Sequence, residues 1–368
     1  MIVRFEDVIT RVTGNVDRYN TDLEYYVGGE QYDSSALTIE RRGDLKKDVD
    51  ILGFKFHFPF KSGDVLLMAR NPHLRKAGQV FFDGLCSDAS YILRTKNPEV
   101  LLQDFIPILL QRDHFWDFFE SHKTGGITFL MNWGMLKTYE FDLPPIEIQR
   151  EVMEKVWAAY RLKQSYQKLI EATDEMVKSQ FIEELYSRYP KQKLGEHISV
   201  IRGVSYKPSD VRSGNSETST AIILRSNNIT NGEINFDDLV FVVKERVQKE
   251  QELHKGDIVM CGSNGSISLV GKAGLLKTNR LNISFGAFCL GIKCKKTVLP
   301  EYLNTYFNTP VYREEIESMG NGTNIINIRP INITNIMIPI PPSDKQKAFV
   351  DFVQQADKSK QVAYSLAS

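Results

Sequence analysis

The sequence lacks most of the features that would announce a chemistry. Its four cysteines, Cys86, Cys261, Cys289 and Cys294, include no Cys-x-x-Cys pair, which excludes the common zinc sites. Its six histidines, His57, His73, His114, His122, His197 and His254, include no His-x-x-x-His pair. There is no Gly-x-x-x-x-Gly-Lys-Ser/Thr phosphate loop and no Gly-x-Gly-x-x-Gly after a strand. No apolar run approaches the ~18 residues of a membrane span. The start, Met1-Ile2-Val3-Arg4-Phe5-Glu6-Asp7, carries acids where a signal peptide needs an apolar region. The expectation is a cytoplasmic chain, away from membranes, with reduced and mostly buried thiols.

Excess charge is missing too, since 46 Lys and Arg balance 46 Asp and Glu. The acids are nevertheless unevenly placed. None falls in 65–82, 121–139, 258–300 or 318–343. These windows occupy matching places in the two halves and carry scattered bases, a distribution that favours phosphate without making the whole chain basic. Buried strands also contain few charges, and that plainer reading fits the apolar parts of 258–300 and 318–343 equally well.

What the chain does have is a duplication. Phe141-Asp142-Leu143-Pro144-Pro145-Ile146-Glu147-Ile148-Gln149 is echoed by Ile338-Pro339-Ile340-Pro341-Pro342-Ser343-Asp344-Lys345-Gln346, with Pro144 and Pro341 lying 197 residues apart. A period near half of 368 residues implies two similar domains, each able to bury its own core. Signals recur in the same order in each half. An apolar run with Gly or Asn opens it (Tyr25–Glu30; Ile222–Asn227). A Gly-Asp turn and strand follow (Gly63-Asp64-Val65-Leu66; Gly256-Asp257-Ile258-Val259). Further strands, a helical stretch (Phe105–Glu120; Pro300–Ser318) and a late glycine turn come before the double proline. Short strands with one or two helices per half predict a mixed α+β fold.

From Ile146 to about Tyr189 no Gly or Pro interrupts the chain, which predicts one long helix opened by proline. Val152, Ala159 and Tyr166, with Leu162, Leu169 and Met176, recur every seven residues and predict its buried seam. Phe349, Phe352, Val353, Ala356 and Ala363 form a comparable stripe on a second helix starting near Asp344.

A DNA amino-methyltransferase would carry an Asp/Asn-Pro-Pro-aromatic motif. The double prolines here, Leu-Pro-Pro-Ile and Ile-Pro-Pro-Ser, have neither the acid or amide nor the aromatic. Gly262-Ser263-Asn264-Gly265-Ser266 lacks the spacing of a nucleophile elbow and reads as a surface turn. No catalytic constellation is present.

The ordered pair of Gly-Asp-(Val/Ile) strand, late glycine turn and hydrophobic-Pro-Pro-x-x-x-Gln helix start resembles the specificity subunits of type I restriction–modification enzymes over nearly the whole chain. The resemblance implies target recognition domains at 1–143 and 191–340. A central helical spacer would span 144–190 and a shorter distal one 341–368, the two packed antiparallel. It also implies a non-catalytic subunit of a phage-defence system that reads a split double-stranded DNA target. Two methyltransferase subunits would dock on it, and restriction–translocase subunits beyond them. S-adenosylmethionine, ATP and magnesium would then belong to the partners, with no cofactor or metal in this chain. Relatives serving type IIB systems share the architecture, so the system type stays open. A scaffold that assembles proteins without reading DNA is the alternative from another class.

Base reading needs paired donors and acceptors, with cations on phosphates. The candidates in the first domain are Arg70, His73, Arg75, Lys76, Lys123, Thr124, Asn132 and Lys137. In the second they are Arg225, Asn227, Asn228, Ser263, Asn264, Lys272, Lys277, Arg280, Asn321, Thr323, Asn324 and Arg329. The short second helix also predicts that the end of the first, about Ala172 to Tyr189, lacks a partner within the chain.

Overall fold

The computed structural model describes residues 1–122, 130–214, 216, 218–319 and 327–367. The chain divides into two compact units, Met1–Gln164 and Ser165–Ser368.

The first unit is built on two four-stranded sheets. One is antiparallel, in the order Ile9–Val12, Ser90–Thr95, Val65–Met68, Ala77–Gln79. The other runs Gly43–Asp44, Tyr25–Val27, Gly84–Ser87, Phe56–Phe60, with a parallel central pair in which Tyr26 lies opposite Leu85. The helices Ile106–Leu110 and Asp113–Ser121 cover the first sheet. Leu67, Tyr91, Leu93, Leu109, Phe115, Trp116 and Phe119 join there in one core. The first residues, Ile2–Arg4, pair with Glu140–Asp142 just before the double proline.

The second unit repeats this plan. Ile198–Arg202, Cys289–Cys294, Ile258–Cys261 and Ala273–Leu275 form the matching antiparallel run, extended by Gly232–Ile234 and Ile229–Thr230. Val211–Arg212, Val240–Val243, Thr220–Leu224 and Ile283–Phe285 form the second sheet, again with one parallel pair, Thr220–Leu224 against Ile283–Phe285. Lys191–Lys193 pairs with Met337–Pro339 before the second double proline. Each unit is therefore mixed α+β, as the order of signals predicts.

The Gly-Asp turns show why those two residues recur. Gly63 and Gly256 sit at φ +92° and +97°, a left-handed conformation in which only glycine avoids a Cβ clash with the backbone. The aspartate then closes the turn on itself. Asp64 accepts from the Lys61 amide at 2.8 Å, and Asp257 from the His254 amide at 2.8 Å. Each carboxylate also faces a cation on the neighbouring strand. Arg94 grips Asp64 with two nitrogens, whereas Lys293 stands 3.9 Å from Asp257. Burial, only partly offset by the His254 amide and Lys293, raises the Asp257 pKa.

The first long helix runs Ile146–Phe181 and continues through a wider turn at Ile182–Tyr186. The second runs Ser343–Ala367. Two expectations about the first are corrected. Its buried line is not Leu162, Leu169 and Met176, which are all exposed, but Trp157, Ile170, Val177, Phe181 and Leu185. Its far end does have a partner within the chain. Phe181 packs on Phe349 at 5.6 Å between ring centroids, and Asp174 accepts from Lys360 at 2.6 Å. Partner numbers that rise on one helix as they fall on the other define an antiparallel pair. On the second helix Phe349, Ala356 and Ala363 are buried, the stripe its spacing predicts.

Candidate nucleic-acid interface

In each unit the Gly-Asp strand ends in a polar loop, and a later segment, starting at Leu130 in the first unit and Asn327 in the second, comes back to brace it. Arg70 forms an antiparallel bridge with Leu130, and Ser263 forms one with Asn327. The Met131 amide donates to the Ala69 carbonyl at 2.7 Å, and the Ile328 amide to the Gly262 carbonyl at 2.8 Å. Two acid-free windows far apart in sequence thus meet at one edge of each sheet. Lys123, Thr124, Asn321, Thr323 and Asn324 lie outside the described residues.

In the first unit the loop is a tight turn around Pro72–Leu74, flanked by Asn71 and Arg75, both left-handed at φ +53° and +48°. For arginine this conformation is strained by about 1–3 kcal/mol. It is held because Arg75 N donates to Pro72 O and its own carbonyl accepts from Ser35 N at 3.0 Å. Arg70 just before this turn and His73 within it are both exposed. Among the described residues no ion pair engages either. The other candidates nearby have work inside the fold. Arg75 pairs with Asp113, Lys76 donates to the Gly29 carbonyl at 2.7 Å, and Lys137 lies 3.4 Å from Glu6. Asn132 caps the helix Trp133–Leu136 by accepting from the Gly134 amide.

In the second unit Ser263 and Asn264 open the corresponding loop. Asn264 accepts from the Ser266 amide at 3.0 Å and reaches Ser226 at 3.4 Å, bringing the Arg225–Asn228 turn to the same edge. There Arg225 and Asn227 both donate to Asp238, at 2.7 and 3.0 Å. Asn228 is fully buried and serves the turn itself, accepting from Arg225 N and donating to Asp237 O. Lys277 donates to Glu233 at 2.7 Å and Asp357 at 3.2 Å, so its charge is neutralised. Burial pulls its pKa down, but the two carboxylates more than offset that and the net shift is upward. Arg280 is exposed beside the Phe236 ring at 5.7 Å, and Arg329 is exposed at the start of the helix Pro330–Thr334. Lys272 is half-exposed. No ion pair engages these three among the described residues. Among the described candidates, Arg70, His73, Lys272, Arg280 and Arg329 are thus the basic side chains outside any ion pair.

Two residues at this edge escape sequence reasoning. The Phe288 carbonyl accepts from the Gly262 and Ser263 amides at 2.8 and 3.0 Å while its ring stays 74% exposed; by pattern it reads as part of a strand. Asn327 is the bridge partner of Ser263, and only its place in the acid-free window 318–343 hints at it.

Nothing in either loop resembles a catalytic centre. Among the described residues no cluster of His, Cys, Asp and Glu could hold a metal ion, and no helix is long and apolar enough to cross a membrane. The free thiols Cys86 and Cys289 are buried, and burial pushes each up to about 12, far from the thiolate a nucleophile needs.

Two braced α+β units, each leading through a double proline into a long helix, form a fold similar to that of solved type I specificity subunits. A solved S subunit of the type I restriction–modification system of M. genitalium matches 100% of this chain and 92% of its own, with a TM-score of 0.56 at 12% identity. A chain from a structural study of type I R-M complex assembly and conformational transition matches 100% and 93%, with a TM-score of 0.54 at 17% identity. Sequence adds a partial match. Residues 204–363 match the model of the type I restriction modification DNA specificity domain. Over 166 residues the chain is 37% identical to the type I restriction enzyme StySPI specificity subunit of Salmonella potsdam. It is 36% identical to the EcoKI specificity subunit of Escherichia coli (strain K12) over the same length. Each of these matches takes in 44% of this chain and 35% of the relative.

Proposed function

We propose that this chain is the non-catalytic DNA-specificity subunit of a type I restriction–modification complex. Residues 1–143 and 191–340 would each read one half of a split double-stranded target, while the helical segments 144–190 and 341–368 set the half-site separation. The observation that carries this reading is the pair of braced loops, repeated bond for bond at the acid-free edges of both units, together with the specificity-domain match. Arg70, Lys272, Arg280 and Arg329 are the candidates with charge to spare for phosphate or base edges, and His73 adds an exposed imidazole. Phe288 adds an exposed ring of the kind that contacts a thymine methyl or wedges a base step. The methyltransferase subunits have a surface available in Leu162, Leu169 and Met176, which recur every seven residues on the first long helix and are all exposed. S-adenosylmethionine and ATP chemistry would reside in the partners, and the site of action would be the cytoplasm.

The test is to co-express the chain with its methyltransferase partner and map methylation across the host genome with and without it. A bipartite methylated sequence that disappears with the chain is the expected result. Arg70→Ala and Arg280→Ala should each weaken binding of the assembled complex and, for a phosphate contact, reduce the salt slope by about 1. A partner complex with no DNA preference would instead favour the protein scaffold.

A further inference from the structure

The glutamine that ends each double-proline motif is the least expected residue in the structure. Gln149 is 0% exposed and Gln346 1%, although glutamine is seldom buried. Both sit in the first turn of a long helix, and both make the same three bonds. Gln149 Oε1 accepts from the Leu102 amide at 3.1 Å, and its Nε2 donates to Val100 O at 2.8 Å and Pro144 O at 2.9 Å. Gln346 Oε1 accepts from the Leu299 amide at 2.8 Å, and its Nε2 donates to Thr297 O at 3.1 Å and Pro341 O at 2.8 Å. In each case one carbonyl belongs to the double proline itself. The other two groups belong to the loop after the sheet, 47 to 49 residues earlier. The side chain spends both amide hydrogens and one oxygen lone pair on fastening the helix entrance to its own domain.

We infer that Gln149 and Gln346 are positioning residues that fix the angle at which each helix leaves its recognition domain, and through it the permitted gap between half-sites. This rests on the DNA-reading function proposed above. Leverage makes the angle matter. The first helix has 36 residues, about 54 Å at 1.5 Å per residue. A tilt of roughly 4° at its entrance moves the far end by about 4 Å, more than the ~3.4 Å rise of one base pair. A hydrophobic contact at the entrance would tolerate such a tilt. Three directional hydrogen bonds from a fully buried side chain to partly buried backbone groups do not, because a shift leaves the amide and those groups unpaired. The requirement for two donors and an acceptor on one short planar group explains glutamine rather than glutamate or leucine.

The assay is methyl transfer by the assembled complex on duplexes carrying both half-sites at the native gap, one base pair shorter and one longer. Wild type should discriminate between gaps. Gln149→Ala and Gln346→Ala should lower that discrimination by roughly tenfold, the equivalent of ~1.4 kcal/mol, while the bases read in each half-site stay the same. Leu109→Ala, a core change elsewhere in the first unit, should reduce thermal stability without altering gap preference. If Gln149→Ala does not assemble, Gln149→Met takes its place; it keeps most of the side-chain volume and removes the three hydrogen bonds. Folded variants that discriminate as sharply as wild type would overturn the inference and leave the DNA-reading function standing. A wild-type complex indifferent to any split target would instead overturn that function.

Discussion

Phe181 is the residue on which the end of the first long helix depends, and replacing it gives the sharpest test of how that helix is held. The ring is fully buried. It lies 5.1 Å from Tyr302, 5.6 Å from Phe349, 6.2 Å from Tyr306 and 6.5 Å from Tyr186 between centroids. Burying a phenylalanine side chain is worth about 1.5–3 kcal/mol. Removing the ring leaves a hole of about 100 Å³, which at ~24 cal/mol per Å³ adds roughly 2 kcal/mol. The four aromatic neighbours are themselves large and packed, so the site cannot collapse, and Phe181→Ala should cost about 4 kcal/mol. In a unit the size of Ser165–Ser368 each kcal/mol shifts the melting point by about 2–4 °C. The expected shift is therefore about 8–16 °C, in the transition of the second unit. Phe181→Leu, which keeps most of the volume, should cost less than about 1.5 kcal/mol. Differential scanning calorimetry of wild type and both variants measures this. A shift below about 3 °C for Phe181→Ala would mean that the far part of the helix stands free, as its sequence alone suggests.

Two further outcomes concern stability, one read by calorimetry against pH and one by urea unfolding. Burial raises the Asp357 pKa, but Lys360 and Lys277 outweigh it and the net shift is downward. Asp357 therefore adds stability above its unfolded value of 3.8 and loses it as pH falls through the lower folded value; Asp357→Asn should flatten the drop in melting point as pH falls below 3.8. Gly63→Ala and Gly256→Ala should each destabilise by about 1–2 kcal/mol in urea unfolding. A Cβ meets nothing within 4 Å at Gly63 and only Pro300 at 3.6 Å at Gly256, so the cost is backbone strain; no loss at either site would refute the left-handed turn.

The features legible in the sequence are those imposed by the backbone. Proline opens both helices, and glycine marks both left-handed turns before the central strand, because few other residues fit there. Their order therefore reports the duplication and the fold class. The buried face of the first helix was not legible, because apolar residues line two of its faces. The face that packs is completed by polar contacts that hydrophobic spacing ignores: Tyr160 with Thr38 at 3.0 Å, Gln164 with Glu40 at 2.7 Å, and Asp174 with Lys360. The candidate site was legible as a place more than as a set of side chains. Asn132, Asn228 and Lys277 have the right chemistry for DNA, but caps, turns and ion pairs claim them. Lys277 meets Asp357 across 80 residues of sequence, a contact no local pattern announces.

The duplication also separates what the fold conserves from what it varies. The paired elements that match between the units are backbone bonds or bonds to backbone: the Gly-Asp closure, the Ala69–Met131 and Gly262–Ile328 braces, and the glutamine clamps. None of them depends on what the loop side chains are. The loops they hold share neither length nor composition: Arg70–Lys76 forms a tight turn with two left-handed residues, whereas Ser263–Lys272 contains a short helical turn at Ile267–Leu269 and presents serine and asparagine. A frame fixed through main-chain atoms can carry many loop sequences without refolding, because each substitution in the loop leaves the bracing bonds untouched.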